Sequence, residues 1–154
     1  MHPLLIAAAL LPVAPAMAQV VTDCADAGFI ASPANIHEPW AEHSRSFANG
    51  AIRIAMLDTG GEPACCSSHL LVLSPAGGPD DPMYRACRVI SGADGMGFYW
   101  VDIPGTSASY DPARGLLLSV PVSHWLGEGT DDSVSVVERM EVRINQARGT
   151  VEVE

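Results

Sequence analysis

The chain has 154 residues and a formal net charge of −10, from 18 acidic and 8 basic residues. This charge opposes binding to the phosphate backbone, so nucleic-acid binding is disfavoured. All eight basic residues are arginine, and the absence of lysine excludes Schiff-base chemistry and the lysine-containing phosphate loop.

Residues 1–18 have the pattern of a secretory signal peptide. They form an apolar run that ends in the small residues Ala16 and Ala18, and Pro12 and Pro15 disfavour a buried helix. We expect cleavage before Gln19 and a mature protein that is periplasmic or secreted. No later segment is apolar and long enough to predict a transmembrane helix.

The four cysteines are best explained as two disulfides, because an exported chain meets an oxidising compartment. A bond between Cys65 and Cys66 is disfavoured, since the peptide link holds their Cα atoms about 3.8 Å apart, below the usual disulfide span. We expect each of them to pair with Cys24 or Cys87, and both arrangements remain open. The sequence has no Cys-x-x-Cys motif, which disfavours thiol redox chemistry and soft-metal binding.

One domain is expected after the signal peptide. Residues 19–43 mix Asp, Ala, Gly, Ser and Pro without a clear period, which predicts an irregular N-terminal arm. A short helix over residues 38–45 is compatible with the pattern. Residues 44–154 are expected to form the all-β domain.

The first strong strand signal is a hairpin over residues 44–57. Its centre is Asn49-Gly50, the preferred pair for a two-residue type I′ turn, and apolar residues follow at every second position. Further strands are predicted at residues 69–74, 85–91, 98–103, 107–110, 116–123, 134–144 and 151–154.

The turns between these strands indicate the fold class. Two of them are similar and end in Gly115 and Gly149, as hairpins with a glycine bulge require. In the segment 134–144, apolar residues alternate with polar ones, which predicts one buried face. Short strands with a turn about every ten residues predict a single antiparallel β-sandwich or a small barrel built from hairpins.

The segment 98–103 supplies a candidate surface for a protein or small-ligand partner. Phe98 and Trp100 share a face with Asp102, whereas the opposite face, which includes Tyr99, is wholly apolar. The mixed face is expected to face water, where aromatic side chains give a large contact area at low entropic cost. The alternative is that both aromatic residues belong to the core.

Catalytic signatures are missing from the sequence. It contains neither Gly-x-Ser-x-Gly nor His-Glu-x-x-His. The paired carboxylates at 80–81 and 131–132 lie in loops rich in Pro or Gly, which favours solvated turns over general acid–base groups.

A metal site is the alternative to a binding surface. His37 and His43 lie near two glutamates, and zinc or copper binding would need a further ligand such as His69 or His124. Because the two histidines are six residues apart, a helix would point them in different directions, and a loop is needed to bring them together.

Six segments stand out as a set: Ser46-Phe-Ala-Asn-Gly, Ile52-Arg-Ile-Ala, His69-Leu-Leu-Val-Leu-Ser-Pro, Cys87-Arg-Val-Ile-Ser, Gly95-Met-Gly-Phe and Tyr110-Asp-Pro-Ala-Arg-Gly-Leu. Through them the chain resembles an uncharacterised family of small exported bacterial proteins. The resemblance covers most of the mature chain and implies no reaction, ligand or site residue.

The sequence therefore favours a non-enzymatic exported binding or interaction module without a cofactor. The alternative is a metal-binding protein or metal-dependent hydrolase that uses His37, His43 and a further histidine.

Intact-mass measurement of exported protein is expected to show a chain that begins at Gln19, because signal peptides are removed after a small-x-small pattern. Exported material that retains Met1 would contradict the signal-peptide interpretation.

Overall fold

The computed structural model describes the chain in four stretches: residues 19–60, 65–77, 84–125 and 136–154. The predicted signal peptide at 1–18 and the carboxylate pairs at 80–81 and 131–132 lie outside the described residues.

The described residues contain ten strands. These are β1 (Val20–Asp23), β2 (Ser44–Phe47), β3 (Ile52–Asp58), β4 (Ser68–Pro75), β5 (Arg85–Ser91), β6 (Trp100–Val101), β7 (Ser107–Asp111), β8 (Gly115–His124), β9 (Val136–Asn145) and β10 (Thr150–Val153). A short helix, α1, spans Cys24–Ala27, and single 3₁₀ segments lie at Gly28–Ala31, Pro33–Asn35, Ala48–Gly50 and Ala93–Gly95.

The strands form two antiparallel sheets. The first sheet has the order β1-β5-β4-β3-β2, and the second has the order β10-β9-β8-β6, with β7 also paired to β8. The prediction of an all-β antiparallel fold is confirmed. The two predicted glycine turns also form, with φ of 95° at Gly115 and 67° at Gly149.

The main core lies between the two sheets and draws side chains from both. It contains Ile52, Ile54, Met56, Leu70, Val72, Ile90, Phe98, Val101, Ile103, Leu116, Leu118, Val120, Val122, Met140, Val142, Ile144 and Val151. These residues alternate along the longer strands because successive side chains of a strand point to opposite faces.

Strand β9 follows the predicted alternation over most of its length. Met140, Val142 and Ile144 are buried as expected. Val136, expected on the same buried face, is 52% exposed because it lies at the start of the strand, beyond the reach of the core.

A second apolar cluster lies on the outer face of the first sheet. Its buried members are Ala55, Leu57, Leu71 and Val89, and the residues packed against them are Cys24, Ala27, Ile30, Ala31, Ile36, Leu73 and Cys87. Most of the second group belongs to the N-terminal arm, so the arm covers this face. The first sheet is therefore buried on both faces, which explains the nearly continuous apolar runs of β3 and β4.

The N-terminal arm differs from the prediction in two respects. It begins with strand β1, which pairs with β5, so residues 19–43 are not irregular throughout. The segment 38–45 is not helical: residues 38–43 form a turn with a cis Glu38–Pro39 peptide bond, and residues 44–45 already belong to β2. Proline disfavours the helical conformation at the residue before it, which accounts for the turn.

The β2–β3 hairpin is confirmed, but its turn is longer than predicted. Phe47 lies opposite Ile52, so the loop contains the four residues 48–51 rather than two. The left-handed stretch extends over Ala48–Gly50, with φ of 50°, 56° and 84°, so the type I′ turn is wrong. Asn-Gly still supplies two of the three left-handed residues.

The cysteines pair as Cys24–Cys87 and Cys65–Cys66. Strand β1 runs antiparallel to β5, and this pairing brings Cys24, the residue after β1, beside Cys87 with their Cα atoms 5.3 Å apart. Cys65 and Cys66 then form the second disulfide with each other. The expectation that each would pair with Cys24 or Cys87 is wrong because it did not include β1.

Replacing both Cys24 and Cys87 by serine is expected to lower the free energy of unfolding by about 2–4 kcal/mol, because the bridge closes a long loop and holds the arm on the sheet. Urea denaturation measures the change, with a native-like circular dichroism spectrum before unfolding as the check that the variant folds; the m value is expected to rise, because the unfolded chain without the bridge is less compact. A midpoint equal to that of the wild type would contradict this role of the bridge.

Candidate functional site

The chain changes sheets between Phe98 and Trp100. Phe98 forms a bridge with Ser68 of the first sheet, whereas Trp100 pairs with β8 of the second. Simple alternation therefore fails here: Phe98 is fully buried, Tyr99 is 47% exposed and Trp100 is 37% exposed. The expectation that Phe98 faces water and Tyr99 is buried is wrong, while Trp100 does lie at the surface.

Asp102 has a local role in a turn. Its Oδ1 accepts a hydrogen bond from the backbone N–H of Gly105 at 3.0 Å, and its carbonyl accepts one from Thr106 Oγ1 at 3.2 Å. The carboxylate thus stabilises the turn that follows β6. This structural role explains the aspartate at position 102 without a contact to a binding partner.

A loop brings His37 and His43 together at the edge of the first sheet. Ile36 lies opposite Leu57, whereas Ser44 lies opposite Ala55. Residues 37–43 therefore form a loop whose two ends both bind Met56 of β3. His37 N–H donates to the Met56 carbonyl, and Met56 N–H donates to the His43 carbonyl.

The two histidines pack with Trp100. The ring centroids of His37 and His43 are 4.5 Å apart, and those of His37 and Trp100 are 5.4 Å apart, both in edge-to-face geometry. His43 and Trp100 complete the triangle at 5.5 Å. We call these three side chains the His–Trp cluster. It joins the arm to the second sheet.

Asp58 lies beside this cluster at the end of β3. One carboxylate oxygen accepts hydrogen bonds from Ser67 Oγ at 2.7 Å and Gly60 N–H at 2.9 Å, and the other lies 3.3 Å from His37 Nδ1. Burial alone would raise the pKa of Asp58, but these hydrogen bonds and the charge of His37 hold the pKa below its ordinary value. Asp58 is therefore ionised at neutral pH.

A surface groove of about 290 Å³ opens next to Asp58. Its lining consists of Asp58, Cys65, Cys66, Ser67, Ser68, Tyr99 and Trp100. We call it the Trp100 groove. It combines two exposed aromatic side chains, one carboxylate and a disulfide between neighbouring residues.

A larger groove of about 320 Å³ lies between the two glycine turns. Its lining includes Tyr110, Asn145 and Arg148. None of the described carboxylates lines it, and its charged side chain is the cationic Arg148, so it lacks the combination of negative charge and aromatic surface that the Trp100 groove has.

Hydrolysis by a serine nucleophile is not supported by the arrangement at Asp58. In a catalytic triad the histidine lies between serine and aspartate and takes the serine proton. Here Asp58 occupies the central position, with Ser67 on one oxygen and His37 on the other. Its lowered pKa makes Asp58 a weak base for Ser67.

The histidines predicted as metal ligands come together only as a pair. Within the described stretches, no group of three or more His, Cys, Asp or Glu side chains is arranged to hold a metal ion. His69 is buried with Nδ1 2.8 Å from Ser91 Oγ, and burial lowers its pKa. His124 lies 2.8 Å from the carboxylate of Glu138. Neither supplies the further ligand that the metal hypothesis needs.

Comparison with known proteins finds no matching family model, no significant match among curated proteins and none among solved structures. Among the helices of the described stretches, none has the length and hydropathy of a membrane span. The Trp100 groove is therefore the feature of the described residues that bears most on function.

The variants Phe98→Ala and Trp100→Ala are expected to differ in their cost to stability. Phe98 is a fully buried core residue, so its truncation should lower the free energy of unfolding by about 3–5 kcal/mol. Trp100 is partly exposed, so its truncation should cost about 1–2 kcal/mol. Urea denaturation of both variants checks the order, and an equal or larger loss for Trp100→Ala would contradict a surface position for Trp100.

Proposed function

We propose that the protein is a non-enzymatic exported binding module whose Trp100 groove receives a positively charged group, such as an arginine side chain of a partner. The observation that carries the proposal is the ionised Asp58 beside the exposed rings of Tyr99 and Trp100. A carboxylate next to aromatic surface is the usual environment for binding a cation.

The charge of the whole chain supports the same class of partner. A net charge of −10 attracts cationic molecules and speeds their encounter with the surface. At close range Asp58 supplies a charge-assisted hydrogen bond, while aromatic rings contribute by cation–π interaction and by contact area.

The size of the groove favours a side chain or a small ligand. Its volume of about 290 Å³ is at the lower end of the range for small-molecule sites. One guanidinium group with its aliphatic stem fits this range better than a large cofactor. We therefore favour a protein or peptide partner that inserts one cationic side chain.

Export supports a binding role in an oxidising compartment. The signal-peptide pattern at residues 1–18 and the two disulfides both fit a periplasmic or secreted protein. In such a setting the Trp100 groove would meet extracytoplasmic proteins or peptides.

The test uses N-acetyl-arginine amide as the probe and N-acetyl-citrulline amide as its neutral control. In NMR titrations the arginine probe is expected to shift the Trp100 indole N–H signal, and the citrulline probe to bind at least about tenfold more weakly, since a charge-assisted contact is lost. Equal affinities for the two probes would contradict the proposal.

The variants Asp58→Asn and Trp100→Ala are each expected to weaken binding of the arginine probe roughly tenfold. Asp26→Asn, at an exposed position outside the groove, removes the same negative charge, serves as the matched control and should bind normally. Because the pKa of Asp58 is lowered, wild-type binding should persist through mildly acidic pH and be lost only when acidification protonates the carboxylate, below the ordinary titration range of an aspartate. Loss of binding at a pH where an ordinary aspartate is still ionised would contradict the role of Asp58.

A further inference from the structure

We propose that the Cys65–Cys66 disulfide is a thiol–disulfide exchange site, which accepts two electrons from an external dithiol, whereas Cys24–Cys87 is structural. This inference does not depend on the proposed binding function. It concerns the chemistry of the groove wall and would hold whatever partner the groove receives.

The two disulfides differ in what they connect. Cys24 and Cys87 are 63 residues apart and join the arm to β5 within the second apolar cluster. Cys65 and Cys66 are neighbours, so their bond closes a ring over a single peptide link and fastens no two elements together. A disulfide stabilises a fold mainly by closing a long loop in the unfolded chain. Stabilisation therefore does not account for the Cys65–Cys66 bond.

The bond between neighbours also starts from an unfavourable geometry. The peptide link holds the Cα atoms of Cys65 and Cys66 3.7 Å apart, whereas most disulfides span about 4.4–6.8 Å between Cα atoms. Cys66 adopts a left-handed φ of 79°, which non-glycine residues rarely use. Disulfides outside the usual geometry are the more easily reduced.

The position of the pair gives a thiol access to it. Both cysteines line the Trp100 groove, which is open to solvent. A reagent that enters the groove reaches them without unfolding of the domain. Cys24 and Cys87 are partly buried as well, but they pack against the second apolar cluster and line neither of the two grooves described above.

The backbone at Cys66 and after the pair is held in place, which favours reversible chemistry. After the pair, Ser68 and Phe98 exchange two backbone hydrogen bonds, at 3.1 and 2.6 Å. A Cβ built on Gly97 would lie only 2.2 Å from the Cys66 carbonyl oxygen, so Cys66 packs directly on a residue without a side chain. These contacts hold the two thiols side by side after reduction, ready to form the bond again.

The exchange takes place in two steps. A thiolate of the external dithiol attacks one sulfur of the pair, a mixed disulfide forms, and the other cysteine leaves as a thiolate that takes a proton from water. The second thiol of the reagent then attacks the mixed disulfide and releases the remaining cysteine. Two electrons and two protons pass to Cys65 and Cys66, and the reagent becomes a disulfide.

The test titrates natively exported protein with dithiothreitol under non-denaturing conditions and labels free thiols with iodoacetamide before peptide mapping. Cys65 and Cys66 are expected to be labelled at least tenfold faster than Cys24 and Cys87, and to become unreactive again after removal of the reductant in air. Simultaneous labelling of all four cysteines, or faster labelling of Cys24 and Cys87, would overturn the proposal.

Paired variants separate exchange chemistry from a structural role. Cys65→Ser/Cys66→Ser is expected to leave the melting temperature almost unchanged, whereas Cys24→Ser/Cys87→Ser should lower it. A drop in the first variant as large as in the second would assign a structural role to Cys65–Cys66 and overturn the proposal. Cationic-probe binding is measured separately, so failure of the exchange site and failure of the binding site are distinguishable.

Discussion

The structure depends on covering the outer face of the first sheet. Strands β3 and β4 carry apolar side chains on both faces, and a bare outer face with Leu57 and Leu71 would expose a continuous apolar patch. The N-terminal arm supplies the cover through Ile30, Ile36 and its neighbours. The Cys24–Cys87 bridge holds the start of the arm to β5. Apolar burial and the covalent bond therefore both fix the arm against the first sheet.

The packing of the arm on the first sheet also determines where the Trp100 groove forms. After covering the sheet, the arm pairs with β3 at Ile36, and the loop that follows brings His37 and His43 against Trp100. Asp58, one residue beyond the Ile36 pairing site, then lies beside His37. The groove thus combines a strand end of the first sheet with the short strand β6 of the second. An arm that left the sheet would remove one side of the His–Trp cluster.

The sequence predicted the features that depend on local pattern. Alternating apolar residues and turn signals identified nearly all strands and the fold class, and His37 and His43 were expected to meet only through a loop. Features set by long-range pairing were not predictable. Strand β1 has four residues without a strong pattern, so the partner of Cys24 was missed. The buried position of Phe98 follows from a change of sheet, which alternation within one strand cannot indicate, and Asp58 joins the site through hydrogen bonds from residues outside β3.

Hydrogen exchange of individual amides tests the attachment of the arm to β3 most directly. His37 N–H donates to the Met56 carbonyl at 3.0 Å, and Met56 N–H donates to the His43 carbonyl at 2.9 Å. If the arm is fixed, both amides should be protected to a degree similar to those between β3 and β4. Exchange of the His37 amide at the rate of an unstructured peptide, with the β3–β4 amides still protected, would contradict the account.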